Sequence, residues 1–120
     1  MALQAGINPK VVALTGSDLS RVEMDGVALQ HAGFGLANLR GASIKEANLA
    51  FIDLRGADLS EAVLSGSDLS QGNLHGIIAT DSMLDGVDLS HADLSGADLR
   101  GANLRNADLS STNLSGLNLQ

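Results

Sequence analysis

The chain has no cysteine, no tryptophan and no tyrosine, one proline and two phenylalanines in 120 residues. Lack of cysteine removes disulfides, thiol nucleophiles and most structural zinc sites, and leaves the redox compartment open. Lack of aromatic platforms removes the stacking by which single-stranded nucleic acid is held. Basic residues are scarce as well: seven Lys and Arg stand against 14 Asp and Glu, a formal net charge of -7. Such an excess repels phosphate and argues against direct nucleic-acid binding. No apolar run approaches the ~20 residues of a membrane helix. Met1 to Lys10 lack the charged start and apolar stretch of a signal peptide, so a soluble, cytoplasmic protein without membrane contact is expected. The length fits one domain.

What the chain does have is a period. A leucine-like residue returns every five positions from Leu14 to Leu119 without insertion or deletion, and only Phe34 and Ala79 among these centres are not Leu, Ile or Met. Neither the helical period of 3.6 nor the strand period of 2 accounts for it. The residue two before each centre is usually Ala, Val, Ser or Ile. If both point inward, the stretch between them is a short strand, and the other positions face water and turn. The residue before the centre is mostly Asp or Asn, and the two after it are dominated by Ser, Arg and Gly, which are turn formers. A chain of identical units buries its core by stacking them.

ADLSG (residues 92–96), ADLRG (97–101), ANLRN (102–106) and ADLSS (107–111) resemble the pentapeptide-repeat family, and the resemblance extends over roughly residues 12–119. It implies an all-β fold, a right-handed quadrilateral parallel β-helix with four pentapeptides per square coil and about five and a half coils. Residues 12–120 then form the solenoid and residues 1–11 a cap over its first coil. Residues twenty apart lie one above another, ~4.8 Å apart, and each face can be written as a column.

On the face centred on Leu54, the residue before the centre reads Ala13, Gly33, Asp53, Asn73, Asp93, Asn113; on the next it reads Asp18, Asn38, Asp58, Ile78, Asp98, Asn118. Charged and neutral residues alternate, as expected if stacked carboxylates repel by ~1 kcal/mol even in water. The face centred on Leu69 breaks this rule with Asp68, Asp88 and Asp108 in succession, beside Ser70, Ser90 and Ser110. Either these carboxylates accept turn amides and tolerate the repulsion, or they form an acidic strip for a basic partner. Between Gly56 and Asp98 there is no Lys or Arg. A second anomaly is apolar: Val63, Ile78 and Met83 hold outward positions usually given to Asp or Asn. They are either a partner site or, around Ile78, a locally shifted repeat in which Ile77 fills space left by the small centre Ala79. Leu36 and Phe51 are single outward apolar residues and need no explanation.

A stacked coil leaves strand edges and core leucines open at its ends. Leu114, Leu117 and Leu119 continue the repeat to the last residues, so an end-to-end homodimer through residues 112–120 is expected. His31, His75 and His91 fall on separate positions of the surface, His31 and His91 three coils apart in one column. No phosphate loop or nucleotide fingerprint is present, and exposed carboxylates on a convex rod lack the burial that acid catalysis needs. No enzyme activity, metal or cofactor is therefore expected. The function expected is a rigid, non-catalytic protein-interaction scaffold whose partner the residues do not identify. The family resemblance adds an alternative, a DNA mimic that binds DNA gyrase or another type II topoisomerase, and the chain alternatively serves as a structural spacer in a larger protein.

Overall fold

The structure, a computed structural model, describes residues 13–120; the expected cap at residues 1–11 lies outside them. Every residue that precedes a centre forms a parallel bridge to the residue twenty further on, from Ala13 to Gly33 through Asp98 to Asn118. The register is unbroken. Twenty residues per coil and one bridge per pentapeptide make four sides, and the cross-section is close to square at 24 × 22 Å. Coils are numbered here from Ala13: the first is 13–32, the second 33–52, the third 53–72, the fourth 73–92 and the fifth 93–112.

The pentapeptide 53–57 shows why five residues make one side. The Asp53 amide donates down to the Ala32 carbonyl (2.9 Å), and the Leu54 and Gly56 amides donate up to Asn73 (2.8 Å) and His75 (2.9 Å). The Ala57 amide closes the turn onto the Leu54 carbonyl (2.9 Å). Only the Arg55 amide has no backbone acceptor, and it donates to the Asp53 side chain at 3.1 Å. All five N–H groups are satisfied, as buried backbone demands. The preference for Asp or Asn before the centre is thus a capping requirement.

The turn has positive φ at its second central residue and an i to i+3 hydrogen bond, the signature of type II. Ten of these positions among the described residues are glycine and eleven are not, including Leu36 (φ 58), Phe51 (φ 60) and Asp81 (φ 58). A left-handed conformation costs a non-glycine residue roughly 1–2 kcal/mol. With so many non-glycine residues held there, the inter-coil ladder imposes the turn.

The core is the set of centres and the residues two before them, as the period predicts. From Val22 to Leu99 nearly all are buried, among them Leu29, Leu64, Leu69, Leu89 and Leu94 at 0% exposure. Size is compensated locally: Gly72 sits over Ile52, and buried Ile77 accompanies the small buried centre Ala79. The repeat at Ile77–Ala79 is not shifted. Ile78 bridges Asp58 and Asp98 in normal register and is 43% exposed. Ser67 is a polar exception inside: its hydroxyl donates to the Ile44 carbonyl (2.5 Å) and accepts from the Ala47 amide (3.0 Å), replacing the direct turn bond found elsewhere.

Candidate protein-interaction surface

Asp68, Asp88 and Asp108 stack through consecutive bridges, the first two half-buried and the third exposed. Each caps its own turn. Asp68 and Asp88 accept the amides of Ser70 and Ser90 at 2.9 Å and their hydroxyls at 2.6 Å. Asp108 accepts the Ser110 amide at 2.9 Å and the Ser110 hydroxyl. One oxygen of each carboxylate is therefore occupied within the protein, as the turn-amide reading requires. The column of negative charge remains on the surface.

Hydrogen bonds at the cap also bear on protonation at Asp53, Asp93, Asp98 and Asp108. The Ser95 hydroxyl and then its amide hold Asp93 below the ordinary carboxylate value, and Ser110 does the same for Asp108. Arg55 and Arg100 do so for Asp53 and Asp98 through side-chain hydrogen bonds. A folded-state pKa below the unfolded one contributes stability that is complete above the unfolded value of ~3.9 and disappears as pH falls through the folded value. The melting temperature followed by circular dichroism is expected to be level from pH 7 to about 5 and to fall below about pH 4. Asp93→Asn keeps the cap oxygen and does not titrate, so it reduces that fall; an unchanged acid limb would contradict this account.

Val63, Ile78 and Met83 occupy the cap position without a cap. Val63 and Met83 bridge one another, Ile78 lies on the adjacent face, and Ile78 and Met83 are 43% and 38% exposed while Val63 is half-buried. Around them stand Glu61, Asp81 and Asp85. Glu61 pairs with Arg40 at 3.0 Å, and Asp85 accepts the Ser65 hydroxyl at 2.6 Å. Among the described residues neither Asp81 nor Asp85 has a cationic partner.

A family model for pentapeptide repeats, in eight copies, matches residues 37–76 and 79–120. The chain belongs to the pentapeptide-repeat family. Its fold is the right-handed quadrilateral β-helix of that family. The crystal structure of a pentapeptide repeat protein from the cyanobacterium Cyanothece 51142 is similar to it, with 25% identity, a TM-score of 0.62, and 88% of this chain and 85% of that one covered. So is one from the thylakoid lumen of Arabidopsis thaliana, with 27% identity, a TM-score of 0.51, and 97% and 76% covered. HetL, involved in heterocyst differentiation regulation in Nostoc sp. strain PCC 7120, matches at 20% identity with a TM-score of 0.46, covering 88% and 91%. A search of curated proteins found no significant match.

Two further features of this family member complete the surface. A groove of about 450 Å³, lined by Thr15, Gly35, Leu36, Asp53, Arg55, Gly56, His75 and Gly76, runs along one corner. Sequence reasoning missed it; the signal was glycine at position 35, where other repeats carry a side chain. Its charged and ring side chains are already engaged, Arg55 with Asp53 at 3.0 and 2.9 Å and His75 Nδ1 with the Ser95 hydroxyl at 2.8 Å. His31 stacks on Phe51 with ring centroids 4.8 Å apart, two of the left-handed turn residues one above the other. Of the three leucines in the last repeats, Leu114 and Leu119 are 39% and 59% exposed and Leu117 is half-buried. Among the described residues no three His, Cys, Asp or Glu gather where they could hold a metal ion.

Proposed function

We propose that this chain is a rigid, non-catalytic protein-interaction scaffold, with Val63, Ile78 and Met83 as the contact and the strip of Asp68, Asp88 and Asp108 as a charged flank. The observation that carries the reading is the cap position itself. At Val63, Ile78 and Met83 a site where this fold uses Asp or Asn holds an apolar side chain, half-buried at Val63 and exposed at Ile78 and Met83, and departures from a local rule mark functional positions. Catalysis is not favoured by the surface: hydrogen bonds hold Asp18, Asp25, Asp53, Asp93, Asp98 and Asp108 below the ordinary carboxylate value, the opposite of what a general acid needs.

The test is affinity capture with three baits: the parent, a Val63→Asn, Ile78→Asn, Met83→Asn variant, and an Asp68→Asn, Asp88→Asn, Asp108→Asn variant. A protein held by the parent and lost by the first variant supports the patch. Loss with the second variant alone moves the contact to the acidic strip, and a type II topoisomerase subunit in that set would put DNA mimicry first. Equal capture by all three would favour a spacer.

The end-to-end homodimer is a separate proposal, supported by the exposure of Leu114 and Leu119. It carries a mismatch. The outer edge of the last repeats offers two free amides per repeat, such as Leu109 and Ser111, against one carbonyl, such as Ala107. Two such edges face to face set donors against donors. Light scattering across micromolar concentrations decides: a monomer mass throughout rules the dimer out.

A further inference from the structure

The patch at Val63, Ile78 and Met83 differs from its surroundings in its backbone as well as its side chains. In a capped repeat the amide two residues after the cap residue donates to the Asp or Asn side chain, as Ser60 does to Asp58 at 2.9 Å and Arg105 to Asn103 at 3.0 Å. Valine, isoleucine and methionine cannot accept. Among the described residues the amides of Ser65, Thr80 and Asp85 consequently have no acceptor within the protein. Thr15, Asp25, Gln30 and Gly35 in the early repeats lack one too, but the residues before their centres are Ala13, Glu23, Ala28 and Gly33. The open Gly35 amide also adjoins an exposed apolar residue, Leu36, but only in the third and fourth coils do valine, isoleucine or methionine stand at the cap position beside the open donor. Lys45 shows that such an amide can be satisfied from outside its own repeat, since it donates to Asp25 of the preceding coil at 2.9 Å.

Resting on the interaction reading above, we infer that this patch binds an extended protein segment that alternates apolar and basic side chains, and that carbonyl oxygens of that segment accept from the Ser65, Thr80 and Asp85 amides. The apolar surface sets one requirement and the three donors the second. The third is the sign of the charge. Among the described residues Asp81 and Asp85 have no cationic partner, no Lys or Arg lies between Arg55 and Arg100, and Arg40 and Arg100 are committed to Glu61 at 3.0 Å and Asp98 at 2.7 Å; Arg105, one coil beyond Asp85, makes no ion pair, so two carboxylates stand against one guanidinium. That field rejects a carboxylate as acceptor and favours a neutral carbonyl carried between lysines or arginines. The same surface explains why the cap was given up. Asn at these positions would satisfy the amides internally and leave nothing for a partner to complete.

The experiment uses the 120-residue protein, acetyl-Lys-Val-Lys-Val-Lys-amide as probe and acetyl-Glu-Val-Glu-Val-Glu-amide as control, with amide proton shifts of Ser65, Thr80 and Asp85 as readout. The basic peptide is expected to move these three protons downfield; the acidic one is expected to leave them in place. In the Val63→Asn, Ile78→Asn, Met83→Asn variant the amides start downfield and no longer respond, and the melting temperature rises by about 3–5 °C as the donors become internally capped. Unmoved amides at millimolar basic peptide, or an equal response to the acidic peptide, would overturn the inference. So would a variant that melts below the parent, since the positions would then need apolar side chains for stability alone. If affinity capture is patch-dependent while the three amides ignore the basic peptide, the scaffold reading stands and this assignment of its partner falls.

Discussion

Leu69→Ala is expected to destabilise the protein by about 3–5 kcal/mol, at the upper part of the range for leucine truncation. Leu69 is fully buried, and the centres twenty residues to either side, Leu49 and Leu89, are buried as well. In a globular core a truncation is partly repaired when neighbours collapse into the space. Here collapse is blocked, because the spacing of the coils is fixed by inter-coil hydrogen bonds such as Leu69 to Asp88 and Asp68 to Ala47, at 2.8 and 2.9 Å. The cavity therefore keeps its volume, and with it the lost dispersion contacts. Leu119→Ala removes the same group where it is 59% exposed and is expected to cost less than about 1 kcal/mol. Urea unfolding of the two variants checks the pair. Equal losses would mean that the stacked column is not what holds the rod together.

Most of the fold was legible because the period carries it. A centre every five residues with a small partner two before it fixes which side chains go in, and the core from Val22 to Leu99 follows that rule. Composition located the turns, but the reason for Asp and Asn before the centre was only half visible. Their role as caps for a specific amide emerges from the accounting of N–H groups, in which Arg55 is the one amide of 53–57 without a backbone acceptor. The three-Asp stack looked anomalous as a charge pattern and is ordinary as capping. Ile78 was ambiguous for a different cause: a string of letters cannot distinguish a shifted repeat from an exposed isoleucine, and the bridges to Asp58 and Asp98 do. The corner groove escaped because a missing side chain at Gly35 opens it, and its walls come from four coils.

Gly72→Val is expected to cost about 3 kcal/mol, and Ile52→Ala to restore part of that loss when combined with it, although Ile52→Ala alone costs about 2–5 kcal/mol. Gly72 is the only glycine among the inward residues two before a centre. Its backbone has no positive φ, so glycine is present for space. A Cβ there would lie 2.8 Å from Leu74 Cδ1, 3.0 Å from the Leu69 carbonyl oxygen and 3.5 Å from Ile52 Cγ2. Leu74 has moved into the volume that other repeats give to alanine, and Ile52 fills it from the coil below. The carbonyl cannot retreat, since it accepts the turn bond from the Gly72 amide at 3.1 Å. Any larger side chain must displace leucine or isoleucine from a packed interior. Valine over alanine contains close to the volume of isoleucine under glycine, so the double variant exchanges the order of sizes within the column without changing their sum. Coupling of 1–3 kcal/mol is expected between the two sites in a double-mutant cycle of urea unfolding free energies. Strict additivity would show that each position is packed by its own repeat, and that columns twenty residues apart do not share volume.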